Sequence, residues 1–192
     1  LLDAGLTDLG ENRVQQLAQR VAEVDAYVQR RRSELPRPVR WHMIGHLQRN
    51  KVKTVLDCSS IIHSVDSLRL AEEIDHVARK KDKIVEVMMQ VNCSQEQQKF
   101  GVSVGAALHL GELIVSLDRL RLVGLMTMGP LSPNPQDVRN SFTRLRELFE
   151  EMQKEKIGEP HFRHLSMGMS NDYTIAVEEG ATILRIGTAL FV

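Results

Sequence analysis

Residues 164–191 read HLSMGMSNDYTIAVEEGATILRIGTALF, and the rest of the chain can be placed around them. The apolar run Leu165 to Met169 stops at Ser170, and a short helical pattern opens at Asn171 and closes at Gly180. Serine is a favoured N-cap, and glycine is the favoured residue just past a helix C-terminus. A second apolar run, Ala181 to Ile186, stops at Gly187-Thr188. Glycine lets a backbone approach a ligand closely, and a helix N-terminus beside it favours an anion. The stretch therefore reads as two successive strand ends aiming backbone N–H groups at one phosphate. An ordinary strand, helix, strand unit with routine turns satisfies the same pattern.

Working outward, the same alternation recurs. Strands are expected from Leu6 to Gly10, Arg40 to Gly45, Ile61 to Val65, Ile84 to Asn92 and Leu120 to Met128. Between them lie helical patterns: Arg13 onward with Val14, Leu17, Ala18, Val21, Val24 and Val28 on one face; Gln48 to Leu56; Ser67 as N-cap through Arg79; Gly105 to Leu117; and Gln136 to Lys156. The first of these ends in Arg30-Arg31-Arg32, where cations suit the negative end of the helix dipole. The runs IVEVMMQVN (84–92) and LRLVGLMTM (120–128) are nearly continuous in apolar residues, as in strands buried on both faces.

Seven strands separated by helices imply a parallel sheet. Leu1 to Gly5 reads as the last turn of a helix ending at a C′ glycine, with no initiator methionine, so a preceding segment is expected. The fold class is then α/β, a (β/α)8 TIM barrel lacking its first strand. One domain spans residues 1–192, incomplete at the N-terminus. A doubly wound sheet is the rival, but no GxGxxG follows any strand. In an eight-fold barrel the phosphate site is built by the loops after strands seven and eight, where residues 164–191 fall.

Composition narrows the function classes. The chain is 42% hydrophobic and 26% charged, with 25 Lys plus Arg against 25 Asp plus Glu, so no nucleic-acid partner or anionic membrane surface is expected. No apolar run reaches the eighteen or so residues of a membrane helix, and no signal peptide opens the sequence. Cys58 and Cys93 stand outside any metal or CxxC spacing and read as free buried thiols of a reducing compartment, hence a cytoplasmic location. His42 and His46 are four apart, but on a strand and turn with no third ligand nearby, so no metal is expected. Most of Met88, Met89, Met126, Met128, Met167 and Met169 read as barrel filling.

Taken together, Gly10-Glu11-Asn12, Trp41 to Lys51 (WHMIGHLQRNK), Gln90-Val91-Asn92 with Lys99-Phe100-Gly101, Gly124-Leu125-Met126, Leu165 to Ser170 (LSMGMS) and Arg185-Ile186-Gly187-Thr188 resemble the pyridoxal-phosphate homeostasis proteins, a YggS/PROSC-like family. The resemblance implies a fold-type III barrel, like the N-terminal domain of alanine racemase, which binds pyridoxal 5′-phosphate. It implies intracellular vitamin B6 homeostasis, a carrier or buffer without robust catalysis, with the cofactor passed to pyridoxal-phosphate-dependent apoenzymes. A complete barrel is expected to be a monomer.

Position by position, the resemblance assigns Ser170, Gly187 and Thr188 to the phosphate cradle, with Ser166 on the same segment. It sets Arg185 against the pyridine nitrogen, and Asn12, Asn92 and His42 facing the cofactor. A fixed cation there disfavours protonating the ring nitrogen and makes the cofactor a weaker electron sink. The family's Schiff-base lysine belongs to a first strand that these residues do not include, and relatives continue past Val192 through a further glycine-containing segment. Lys51 and Lys99 lie in loops at the same face without matching that lysine, so no catalytic residue is assigned. The alternative is a small fold-type III enzyme such as an amino-acid racemase. Racemases of this fold use a tyrosine from a second domain, whereas Tyr27 and Tyr173 here fall in helical patterns. A barrel binding some other phosphorylated metabolite is a third option.

Overall fold

The computed structural model describes residues 1–31, 35–94, 96 and 100–190. Arg32, Lys99, Phe191 and Val192, singled out above, lie outside the described residues.

The strands are β1 (Asp8–Glu11), β2 (Arg40–Met43), β3 (Ile61–Val65), β4 (Val85–Asn92), β5 (Val102–Ser103), β6 (Leu120–Met126), β7 (His164–Met169) and β8 (Ile183–Arg185). The helices are α1 (Val14–Arg30), α2 (Val52–Cys58), α3 (Leu68–Lys80), α4 (Val104–Val115), α5 (Pro135–Lys154) and α6 (Tyr173–Glu178). Every ladder is parallel, and the sheet runs β1-β2-β3-β4-β6-β7-β8, with β5 paired to β4 off that path. The seven expected strands all form. The two-residue β5 was not foreseen, because Val102-Ser103 is too short to carry a period.

The path curls rather than lying flat. Leu9 and Gly10 of β1 and Leu184 of β8, the two ends of the path, line one cavity of about 820 Å³. The result is a nearly closed barrel of parallel strands, open between β8 and β1 and wrapped by helices.

Two apolar layers follow from strand alternation. Between sheet and helices sits the main core, with Leu70, Ala71, Ile74 and Ala78 of α3 and Val138, Phe142, Leu145, Leu148, Phe149 and Met152 of α5 turned inward, the faces their periodicity predicts. Asn134 caps α5 by accepting from the Gln136 N–H at 3.1 Å, with Pro135 in the first turn. Inside the barrel, Ile61, Met88, Val123 and Met126 form a separate small cluster contributed by strands alone. Only Met88 and Met126 of the six methionines belong to it. Met89 and Met167 fill the outer layer, and Met128 is 43% exposed. This corrects the barrel-filling expectation: neighbouring residues on a strand face opposite sides.

Around residues 164–190 the helix begins later than its pattern suggests. Asp172, not Ser170, precedes α6, and the Asp172 carboxylate accepts the Met169 N–H. Gly180 ends it as expected, at φ 89°, with Ala181 N–H donating back to the Ala176 carbonyl at 2.9 Å. Gly168 (φ 92°) lets α6 lie close on β7, since a side chain there would meet the Ala176 methyl at 2.5 Å. From the other side, Glu179 accepts from Arg139 and Arg146, each at 2.7 Å, and from the Thr143 hydroxyl at 3.0 Å, fastening the end of α6 to α5.

Candidate functional site

The C-terminal ends of β8 and β7 meet as parallel neighbours, with Met169 opposite Arg185. Beyond them Ser170 and the 3-10 turn Thr188–Leu190 face each other. The Ser170 hydroxyl oxygen accepts two backbone N–H groups, from Gly187 at 3.3 Å and from Ala189 at 3.2 Å. Two amides converging on one oxygen is the arrangement a phosphate oxygen requires. Thr188 lies between those donors, exposed at the surface.

A cavity of about 240 Å³ opens beside this turn, and Asn12, His42, His63, Arg185 and Gly187 are among its walls. Asn12 is fixed by a close approach: a Cβ on Gly45 would fall 2.0 Å from the Asn12 carbonyl oxygen. Arg185 donates to the Ser166 hydroxyl at 2.7 Å and to the Thr127 carbonyl at 2.8 Å. Both acceptors are neutral, and burial pulls the guanidinium down to a pKa of about 10.

From Arg185 a line of polar side chains runs into the barrel interior. Ser166 is fully buried and lies 2.9 Å from His63 Nδ1. His63 Nε2 lies 2.9 Å from His42 Nδ1, and His42 Nε2 lies 3.1 Å from the Asp8 carboxylate. Burial pushes the His63 imidazole well below its usual value, helped by His42 and Arg185 nearby. Burial also lowers His42, with Asp8 opposing.

Of the residues singled out from sequence, Asn12, His42, Arg185 and Gly187 share one cavity, and Ser170 and Thr188 sit at its adjoining turn. Ser166 hydrogen-bonds inside the barrel, to Arg185 and His63. Asn92 is engaged by its own loop, donating to the Glu96 carbonyl at 2.9 Å and accepting from Ser94 at 3.1 Å. His46 stacks on Phe100, ring centroids 3.9 Å apart, and Lys51 closes a 3-10 turn before α2. Among the described residues, no group of three or more His, Cys, Asp or Glu side chains converges as a metal site would need.

Sequence reasoning missed Asp8, His63, Thr127 and the Ala189 amide. His63 had a readable signal: in the strand IIHSV (61–65) it shares a face with Ile61, so an imidazole points where a barrel expects an aliphatic side chain. The Thr127 carbonyl and the Ala189 N–H are backbone groups, which residue type does not announce.

The fold is that of the N-terminal barrel of alanine racemases. The family model of the alanine racemase N-terminal domain matches residues 1–192. An alanine racemase of Clostridium difficile shares the fold at a TM-score of 0.77 and 10% identity, covering 99% of this chain and 48% of that one. Nearer in sequence, the pyridoxal phosphate homeostasis protein of Aquifex aeolicus is 41% identical over 190 residues, 98% of this chain and 78% of that protein. PipY of Synechococcus elongatus, solved with pyridoxal phosphate bound, is 31% identical at a TM-score of 0.85, covering 99% of this chain and 84% of PipY. The chain belongs to the alanine racemase N-terminal domain family and, within it, to the pyridoxal phosphate homeostasis proteins. Among the described residues no helix is long and apolar enough to cross a membrane.

Proposed function

We propose that this chain binds pyridoxal 5′-phosphate reversibly at the ends of β7 and β8 and serves intracellular homeostasis of that cofactor as a carrier, not as a turnover enzyme. The observation that carries the reading is the convergence of the Gly187 and Ala189 N–H groups on the Ser170 oxygen, beside the half-buried Arg185. That oxygen stands in for a phosphate oxygen, so the residues present fit the group. Ser170, Gly187, Thr188 and Ala189 would hold the phosphate, Arg185 would meet the ring nitrogen, and Asn12 and His42 would border the ring.

When bound, the cofactor supplies an aldehyde and an electron-withdrawing ring. The protein's own part is recognition. Amide dipoles offset the phosphate charge, and a cation that stays protonated keeps the ring nitrogen unprotonated. Both favour holding the cofactor over activating it. The carrier reading is further supported by the tyrosines. Tyr27 donates its hydroxyl to Asp3, at 2.7 Å to one carboxylate oxygen, and Tyr173 opens α6 outside the 240 Å³ cavity, so neither is poised there as a base. Passing the cofactor to pyridoxal-phosphate-dependent apoenzymes in the cytoplasm belongs to the same proposal.

The test is a spectroscopic titration of residues 1–192 with pyridoxal 5′-phosphate. Saturable binding, competed by excess inorganic phosphate, is expected, together with no racemisation of added amino acids. Binding that never saturates removes the cofactor reading, and substantial racemisation replaces carrier with enzyme.

A further inference from the structure

The interior of the barrel holds a continuous line of polar groups from Arg185 to Asp8, and donor and acceptor chemistry gives it a direction. A guanidinium only donates, so the Ser166 oxygen accepts from Arg185 at 2.7 Å and has one proton of its own to give. That proton goes to His63 Nδ1, 2.9 Å away. The His63 proton is then on Nε2 and passes to His42 Nδ1, 2.9 Å away. The His42 proton is therefore on Nε2, aimed at the Asp8 carboxylate at 3.1 Å.

The reverse order fails at both ends. With the proton on His63 Nδ1, Ser166 would receive two donors and, among the described residues, leave its own hydrogen without an acceptor in a fully buried place. His42 Nε2 would then present a lone pair to a carboxylate. Only one arrangement pairs every atom, and in it all four dipoles point the same way, from cation to anion. Hydrogen bonds in such a chain polarise one another and strengthen the terminal acceptor.

Arg185 needs such help. Its partners, Ser166 and the Thr127 carbonyl, are both neutral. Asp172 acts on it through space, while among the described residues its hydrogen bonds lead to a carboxylate along the line ending at Asp8. Asp8, His42, His63 and Ser166 come from β1, β2, β3 and β7, so the line also ties four strands together across the barrel interior.

We infer that Asp8, His42, His63 and Ser166 form a one-directional hydrogen-bond relay that fixes the Arg185 guanidinium and makes His63 and Ser166 positioning residues for a ligand's ring nitrogen. The relay stands on the free protein, and only the identity of the ring rests on the proposed cofactor reading. Two measurements separate these. In the ¹⁵N-histidine-labelled chain at pH 7.5, two-bond ¹⁵N–¹H correlation spectra should show His42 and His63 as neutral Nε2–H tautomers. An Nδ1–H form or an imidazolium at either position overturns the relay, whatever ligand binds.

In the second measurement, Ser166→Ala should weaken pyridoxal 5′-phosphate about 3- to 10-fold, the worth of one hydrogen bond. It should leave the affinity of 1-deazapyridoxal 5′-phosphate, which lacks the ring nitrogen, unchanged within error. Equal losses for the two ligands would mean a general structural role and end the positioning assignment. If the unaltered chain binds neither compound, the proposed function falls and the tautomers alone decide the relay.

Discussion

Gly187 donates its backbone N–H to the Ser170 hydroxyl oxygen at 3.3 Å, joining the loop after β8 to the end of β7. Ala189 donates to the same oxygen at 3.2 Å. A hydroxyl that accepts two amides in the free protein can turn and donate once a phosphate takes those amides. Replacing Ser170 and Thr188 together by alanine should therefore weaken pyridoxal 5′-phosphate by about 10-fold or more, with single changes costing about 3- to 10-fold. A fluorescence titration reads this directly. Affinity unchanged in the double variant would remove the cradle assignment.

Gly45 gives a stability prediction with a built-in control. A Cβ there would lie 2.0 Å from the Asn12 carbonyl oxygen and 2.7 Å from its carbon, so backbone must move. Gly45→Ala should cost about 1–3 kcal/mol in urea unfolding, the range for overpacking, and should displace Asn12 from the cavity wall. Gly105, in the first turn of α4, has nothing within 4 Å of its ideal Cβ. Gly105→Ala should be neutral or stabilise by up to about 1 kcal/mol. Equal effects at the two sites would show that the close approach at Gly45 does not constrain the fold.

His63, His42 and His164 all have folded pKa values below the usual one, with burial the first cause in each case. Neighbouring cations add to this: Arg163 beside His164, Arg185 beside His63, and Arg40 near all three. A histidine lowered on folding binds its proton more readily in the unfolded chain. Its stabilising effect is therefore complete above the unfolded value, about 6.5, and is lost as pH falls from there through the lowered folded values. The melting temperature should decline from about pH 6.5 downward, before most carboxylates titrate. A curve flat between pH 7.5 and pH 5 would sink the claim that these imidazoles are neutral and buried.

Much of the architecture is legible because burial imposes a period. Leu120–Met126 is buried on both faces and reads as an unbroken apolar run, while α5 buries Val138, Phe142, Leu145, Leu148, Phe149 and Met152 at helical spacing. What stayed hidden obeys no period. Ser170 is a good N-cap by type, yet its oxygen takes amides from Gly187 and Ala189, seventeen and nineteen positions along, while Asp172 serves the turn. His63 meets Ser166 across a separation of 103 residues, which barrel curvature creates and local sequence cannot announce. The resemblance pointed to Arg185. Ser166 was placed by the resemblance on the cradle segment, and only the structure shows that it and the Thr127 carbonyl hold the guanidinium.

The last prediction concerns the two ends of the sheet path. Among the described residues β1 pairs only with β2, and β8 only with β7, so each presents a row of backbone groups on its other side. Both edges border the 820 Å³ cavity, whose apolar walls include Leu6, Leu9, Trp41, Leu184 and Leu190. Unpaired parallel edges beside apolar side chains are templates for another strand. Residues 1–192 alone should therefore melt broadly and associate as concentration rises, read by light scattering as a growing mean mass. Leu6 and Leu190 are each 47% exposed at this opening. Leu6→Lys with Leu190→Lys should suppress association without lowering helix content, because charge on an edge repels a second chain. A sharp, reversible, monomeric melt of the unaltered chain would show instead that β1 and β8 are satisfied by other means.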